Sequence, residues 1–192
     1  MHAAVLVPLA LMVRDALGDG LGADPVAELT HRTGDWALRL LLACLAMTPL
    51  RRLLGRPWPI RLRRLLGLYA FFYASLHLSV YVVLDLQGWW MQVLEDLVKR
   101  PFVTAGAAAF ALLLPLALTS TRGWMRRLGR HWGRLHRAVY AAAALAVLHF
   151  WWGVKADVRE PALYAAILAL LLGFRFAAWW RAKATQAPMR GE

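Results

Sequence analysis

Five long runs of apolar residues determine the fold class of this chain. They cover residues 34–50, 65–86, 102–119, 136–154 and 161–180, and each approaches the roughly 20 helical residues that cross a hydrocarbon core. A shorter apolar stretch, residues 1–17, is interpreted as a further helix. Because lipid offers no partners for backbone polar groups, membrane segments form helices or closed barrels. The sequence therefore predicts an all-α integral membrane protein, a bundle of six transmembrane helices.

The net charge of +12 does not indicate a nucleic-acid partner. A nucleic-acid-binding domain carries its basic residues on a soluble surface, whereas here 60% of the residues are hydrophobic and most basic residues lie between the apolar runs. The lipid bilayer is the expected partner.

The basic residues instead predict orientation. Segments 51–64 and 120–137 each contain six arginines and no acidic residue, and the tail adds Arg181, Lys183 and Arg190. The connections on the other side hold nine acidic and five basic residues, in segments 18–35, 85–101 and 155–160. Since lysine and arginine concentrate on the cytoplasmic side, both termini are predicted to be cytoplasmic. Two arginines inside the apolar runs, Arg39 and Arg175, are expected to extend to the interface.

Few cofactor motifs are present. Cys44 is the single cysteine, which excludes a thiolate cluster and covalent haem attachment, so any metal must be held by histidine. There is no G-x-G-x-x-G motif, and the connections are too short for a nicotinamide or flavin domain. We therefore expect one domain over residues 1–192 that depends on an external electron donor. No internal repeat is evident in the sequence.

Two histidines are predicted to lie deep in the membrane at matched levels. His77 is about twelve residues into its run and His149 about fourteen, which corresponds to roughly 18 Å and 21 Å of helix. A polar ring at that depth indicates a functional site. Two neutral imidazoles on different helices are the ligand set of six-coordinate haem iron, although a hydrogen-bonded core histidine is an alternative for either residue alone.

His136 precedes His149 by thirteen residues, which places the two side chains about 140° apart on an ideal helix. A second haem at the level of His136 would need another histidine ligand near Arg63 or Arg64, where the sequence has none. His136 is therefore predicted to contact a propionate, to act as an exchangeable ligand, or to belong to a quinol or flavin site. Arg64 is the candidate to bind a haem propionate or a flavin phosphate.

An ordered set of stretches resembles a known family. These are GLGADPVAELTHRTGDWALRLLLACLAMTPLRR (20–52), IRLRRLLGLYAFFYASLHLSVY (60–81), KRPFVTAG (99–106), LTSTRGWMRRLGRHWGRLHRAVY (118–140) and LHFWWGVK around His149. The chain is similar to the MsrQ (YedZ) family, the haem-binding membrane subunit of the bacterial periplasmic methionine sulfoxide reductase system. That family belongs to the ferric-reductase-like transmembrane group.

The resemblance implies a haem b ligated by His77 and His149, with His136 also involved in haem binding, and an FMN cofactor. It implies a non-catalytic electron-transfer subunit in the bacterial inner membrane. Electrons would come from the quinone pool or a cytosolic flavin reductase. They would pass to MsrP, a periplasmic molybdopterin subunit that reduces methionine sulfoxide in proteins.

Two alternatives remain open from the residues. One is a ferric reductase or oxidase-type haem protein that uses the same ligands with a separate donor. The other is a haem-free transporter or membrane anchor whose histidines relay protons or pack helices. A transporter would be expected to place acidic partners beside His77 and His149, and the apolar runs show none away from their ends.

Overall fold

The computed structural model describes residues 2–18 and 20–185, and within these ranges all regular secondary structure is helical. The all-α prediction is therefore confirmed for this part of the chain. Arg190, which entered the charge count, lies outside the described residues, as does Asp19.

Nine α-helices follow one another in the described residues: α1 (His2–Leu17), α2 (Pro25–Leu54), α3 (Trp58–Ser79), α4 (Trp90–Lys99), α5 (Pro101–Leu118), α6 (Arg122–Leu128), α7 (Arg130–Leu135), α8 (Ala138–Gly153) and α9 (Arg159–Thr185). Helix α3 continues without interruption into a π-helical turn, Val80–Asp85.

Three of the helical segments are long and apolar enough to cross a membrane: Trp58–Asp85, Pro101–Leu118 and Arg159–Ala184. Helices also cover the other three predicted segments: α1 and α8 lie within theirs, whereas α2 extends beyond residues 34–50 at both ends. The count of six spans and the cytoplasmic position of the termini remain predictions.

Two helical hairpins form the centre of the bundle. Helix α2 packs mainly along α3, and α5 mainly along α8. Thr30 and Cys44 of α2 contact His77 and Arg63 of α3, respectively, which makes these two helices antiparallel. Contacts from Phe102 and Thr119 of α5 to His149 and His136 show the same relation in the second hairpin. Between the hairpins, Phe71 of α3 stacks on Phe110 of α5, and His77 contacts His149, which binds the Phe102 carbonyl near the start of α5. Helix α3 is therefore antiparallel to α5 and runs in the same direction as α8, with His77 and His149 at the same level.

A proline and an arginine complement each other near the middle of the bundle. Pro49 lies inside α2 and has no N–H to donate to the carbonyl of Leu45, four residues earlier. Arg175 of α9 supplies that donor, with Nη2 at 2.6 Å from the Leu45 oxygen, and it also contacts the Tyr140 hydroxyl. The expectation that Arg175 extends to the interface is wrong, because its guanidinium binds inside the bundle.

The connection predicted at residues 85–101 contains a helix, α4, with a strongly amphipathic sequence. Its apolar residues Met91, Leu94 and Val98 are exposed, whereas Asp96 is buried. The Asp96 carboxylate accepts a hydrogen bond of 2.6 Å from the Tyr81 hydroxyl of the π-helical turn, and it pairs with Arg100 at 3.2 Å. These contacts attach α4 to the end of the α3 segment.

Candidate cofactor site

His77 of α3 and His149 of α8 face each other between the two hairpins. Their ring centroids are 5.9 Å apart and the ring planes meet at 78°. Both rings are half-buried. The structure therefore brings together the two histidines that the sequence analysis selected, on two helices that run in the same direction.

Each ring is held by one nitrogen. His77 Nδ1 is 2.9 Å from the carbonyl oxygen of Thr30, and His149 Nδ1 is 2.7 Å from that of Phe102. Because a carbonyl oxygen only accepts, both Nδ1 atoms carry the proton, and in the neutral ring Nε2 is left with its lone pair. A carbonyl that accepts the Nδ1 proton is the usual arrangement for a histidine that binds a metal.

The separation of the rings also suits a shared metal ion. Imidazole nitrogens bind transition metals at about 2 Å, so two such bonds and the two ring radii account for a centroid separation close to 5.9 Å. A bis-histidine haem iron, with one ring on each axial face, is compatible with this spacing and with the donor set.

Two glycines lie directly against these rings. A Cβ placed on Gly34 of α2 would lie 3.1 Å from His77 Nδ1, and one on Gly106 of α5 would lie 2.7 Å from His149 Nδ1. The absence of a side chain at both positions lets each imidazole approach the neighbouring helix backbone.

The two histidine sites are copies of one arrangement. In each, the histidine follows its carbonyl partner by 47 residues, and the glycine lies four residues after that carbonyl. Positions 30, 34 and 77 correspond to 102, 106 and 149 with a constant offset of 72 residues. The expectation that the chain has no internal repeat is therefore wrong at the level of structure. The glycine and the histidine are identical between the copies, whereas the residues that supply the carbonyl, Thr30 and Phe102, differ.

His136, which follows α7 and precedes α8, is held in a different way. Its Nε2 is 3.1 Å from Thr119 Oγ1, and that hydroxyl donates its own hydrogen to the Pro115 carbonyl at 2.6 Å. His136 Nε2 is therefore the protonated donor and Nδ1 is left with the lone pair. The ring also stacks on Trp132, with centroids 3.9 Å apart.

Arg64, the repeat counterpart of His136, is exposed on α3. The neighbouring Arg63 is half-buried. The described part of the chain has two buried side-chain polar atoms without a hydrogen-bond partner, Thr48 Oγ1 and Arg175 Nε. Thr48 lies within one helical turn of Leu45, and Arg175 contacts Leu45. Some buried polar groups in this part of the bundle, on the side of the arginine-rich connections, therefore lack a hydrogen-bond partner.

The remaining histidines lie elsewhere. His31 and His131 are exposed, and His2 Nδ1 is 2.9 Å from the Tyr69 hydroxyl. Sequence reasoning did not identify Gly34, Gly106 or the carbonyls of residues 30 and 102. The offset of 72 residues shared by the Gly34–His77 and Gly106–His149 pairs was the signal that could have found the glycines.

The chain matches known proteins over nearly its whole length. Residues 33–147 match the family model for the ferric reductase like transmembrane component. Relatives named protein-methionine-sulfoxide reductase heme-binding subunit MsrQ include those of Xanthomonas axonopodis pv. citri (59% identical) and Xanthomonas campestris pv. campestris (61%), each over 99% of this chain and 89% of the relative. The Bordetella pertussis protein of the same name is 50% identical over 94% of this chain and 89% of its own length. No solved structure matches the chain.

Proposed function

Because this chain belongs to the MsrQ family of the ferric-reductase-like transmembrane group, we propose that it is the haem b electron-transfer subunit of a methionine sulfoxide reductase system. The relatives' shared name specifies heme binding and that reductase. We propose one haem domain over residues 1–192, located in the bacterial inner membrane, where the subunit carries electrons and does not itself act on the sulfoxide.

The observation that carries the proposal is the facing pair of His77 and His149. Both rings have Nδ1 bound to a main-chain carbonyl and Nε2 left as a ligand atom, and their centroids are 5.9 Å apart. We assign these two residues as the axial ligands. Haem, when bound there, supplies a one-electron couple that the protein alone lacks.

The direction of transfer follows from the predicted orientation. The His pair lies toward the ends of α3 and α8 that are remote from the arginine-rich connections, and therefore nearer the outer face. We propose that electrons enter from the quinone pool or a cytosolic flavin reductase and leave to MsrP, the periplasmic molybdopterin subunit, for repair of oxidised proteins. The absence of a nucleotide-binding motif in the sequence supports an external donor.

The arginine-rich half is the proposed site of further cofactor contacts. His136 contributes an imidazole there, and Arg64 contributes a cation for a haem propionate or for the phosphate of FMN. The unpartnered Thr48 Oγ1 and Arg175 Nε support a polar ligand in this half, since buried polar atoms normally have partners.

The haem assignment is tested by absorbance spectroscopy of the purified protein. We expect a b-type pyridine haemochrome in the wild type, and we expect His77→Ala or His149→Ala to abolish the reduced-minus-oxidised haem band while the protein still inserts. His131→Ala, at an exposed histidine of α7, is the matched control and should keep the band. A colourless wild type would instead favour a haem-free transporter or anchor, and an unchanged spectrum in both ligand variants would refute the ligand pair.

The identity of the acceptor needs a separate measurement. With the subunit reduced in membranes, we expect haem reoxidation to accelerate when the purified molybdopterin partner and methionine sulfoxide are added together. Reoxidation driven equally well by ferric chelates or oxygen alone would favour the ferric reductase or oxidase alternative.

A further inference from the structure

We propose that Gly34 and Gly106 are positioning residues for the two histidine rings. Each glycine leaves the space in which an imidazole lies flat enough against the adjacent helix for its Nδ1 to reach a main-chain carbonyl. The proposal rests on the proposed function, because it assigns these glycines a role in presenting His77 and His149 to the haem iron.

The position of each glycine follows from helix geometry. Residues four apart lie above one another on the same face of an α-helix, so a ring that reaches the carbonyl of residue 30 passes over residue 34. The same relation holds for residues 102 and 106. The carbonyl of residue i already accepts from the N–H of residue i+4. Its second lone pair accepts the histidine proton.

The distances indicate how little room there is. A Cβ on Gly34 would lie 3.1 Å from His77 Nδ1 and 3.2 Å from Cε1. A Cβ on Gly106 would lie 2.7 Å from His149 Nδ1, 2.9 Å from Cε1 and 3.1 Å from Cγ, and contacts under 3.0 Å essentially never occur for real Cβ atoms. Alanine therefore displaces the His149 ring, whereas at position 34 a shift of a few tenths of an ångström accommodates it.

The displacement changes the ligand as well as the packing. A hydrogen bond from Nδ1 fixes the tautomer and the orientation of a metal-binding histidine and raises its basicity. When a methyl group moves the ring away from the carbonyl, the imidazole becomes a weaker donor to iron. The oxidised state is then stabilised less than before, and the midpoint potential moves in the positive direction.

The test compares three alanine variants in the full-length protein purified with haem. Gly173→Ala on α9 is the matched control, because a Cβ there meets nothing within 4 Å. We expect Gly106→Ala to weaken haem binding roughly 10- to 100-fold, the usual cost of losing the hydrogen-bond partner of a metal-binding histidine. Gly34→Ala should show a smaller loss, and Gly173→Ala none. Haem per protein is measured as the pyridine haemochrome, and redox titration should show the potential shifts in the same order.

A thermal-unfolding cycle separates positioning from general packing and requires no bound haem. We expect Gly106→Ala to lower the unfolding temperature in the wild type but to cost little in a His149→Ala background, where the ring is absent. Equal costs in both backgrounds would overturn the proposal, as would haem content and potential in Gly106→Ala that match those of Gly173→Ala. If the wild type bound no haem, the haem assignment would fail, while a ring-dependent cost in this cycle would still support the role of the glycine in holding the histidine.

Discussion

The two halves of the bundle hold their histidines by opposite ring nitrogens. In the half remote from the arginine-rich connections, His77 and His149 are bound through Nδ1 to main-chain carbonyls. In the arginine-rich half, His136 is bound through Nε2 to the Thr119 hydroxyl and stacks on Trp132. The first arrangement leaves two Nε2 atoms available between the hairpins, whereas the second leaves a single Nδ1.

The repeat makes this comparison direct. An offset of 72 residues relates His77 to His149 and relates Arg64 to His136. The two related hairpins therefore carry the matched imidazoles of His77 and His149 at one level. At the other level they carry the imidazole of His136 and the exposed Arg64. The partner of the other ring nitrogen decides which atom is available.

The largest difference between the halves is expected in haem retention. His136→Ala should keep the haem band that His149→Ala abolishes, with a weaker or shifted spectrum, because His136 lies in the other half and does not share the carbonyl anchor. The measurement is the reduced-minus-oxidised spectrum at matched protein concentration. Complete loss of the band in His136→Ala would contradict this expectation and place the residue among the essential ligands.

The next effect concerns the stability of the arginine-rich half. Arg175→Leu leaves the Leu45 carbonyl without a donor and should cost about 1–3 kcal/mol, the penalty for an unsatisfied buried polar group. In a Pro49→Ala background the helix supplies its own N–H to that carbonyl, so the same substitution should cost less. Thermal unfolding of the four proteins in detergent measures the coupling, and additive costs would contradict this role of Arg175.

A smaller effect is expected at the other end of the bundle, where α4 is attached. The hydrogen bond from Tyr81 holds the pKa of Asp96 below its usual range, so this carboxylate stabilises the fold at neutral pH. That contribution is lost as the pH falls below the ordinary carboxyl range, near 4, and through the lowered pKa. Asp96→Asn should cost about 1 kcal/mol at pH 7.

The pH profile of unfolding provides the check on Asp96. The wild type should lose stability on acidification more steeply than Asp96→Asn, and the two curves should converge at low pH. Glu95→Gln, in the same helix but half exposed, is the control and should follow the wild type. Parallel curves for the wild type and Asp96→Asn would show that the Tyr81 contact contributes nothing.

The last prediction concerns the spectroscopic signal of the unaltered protein and involves no change in haem content or stability. The ring planes of His77 and His149 meet at 78°. If both rings held haem iron at this angle, two iron d orbitals would be close in energy. The oxidised protein should therefore give a strongly anisotropic low-spin signal in electron paramagnetic resonance. An ordinary rhombic signal would show that the rings become nearly parallel when haem is bound.

The sequence predicted the elements whose signal is carried by side-chain type. Long apolar runs located the helices that contain His77 and His149, and matched depth selected those two residues from six histidines. Charge counts described segment 85–101 as a connection, because its acidic and basic residues dominated the count. The apolar stripe of α4 became apparent only when Met91, Leu94 and Val98 were placed on a helix.

The features that escaped prediction depend on the main chain or on a partner far along the sequence. Arg175 binds inside the bundle because Pro49 leaves a carbonyl without a donor, and no local pattern around residue 175 encodes that. Of the two adjacent arginines, Arg63 is half-buried and Arg64 is exposed, because helical phase decides which of two neighbouring cations turns inward. Hydrophobicity alone does not resolve that phase.

The carbonyls that hold the two rings belong to residues as different as threonine and phenylalanine. Side-chain replacement at position 30 leaves the carbonyl oxygen in place, so a conventional alanine scan would not detect its hydrogen bond to the His77 ring. Searches for similar sites should compare backbone oxygens with ring nitrogens instead of matching residue names.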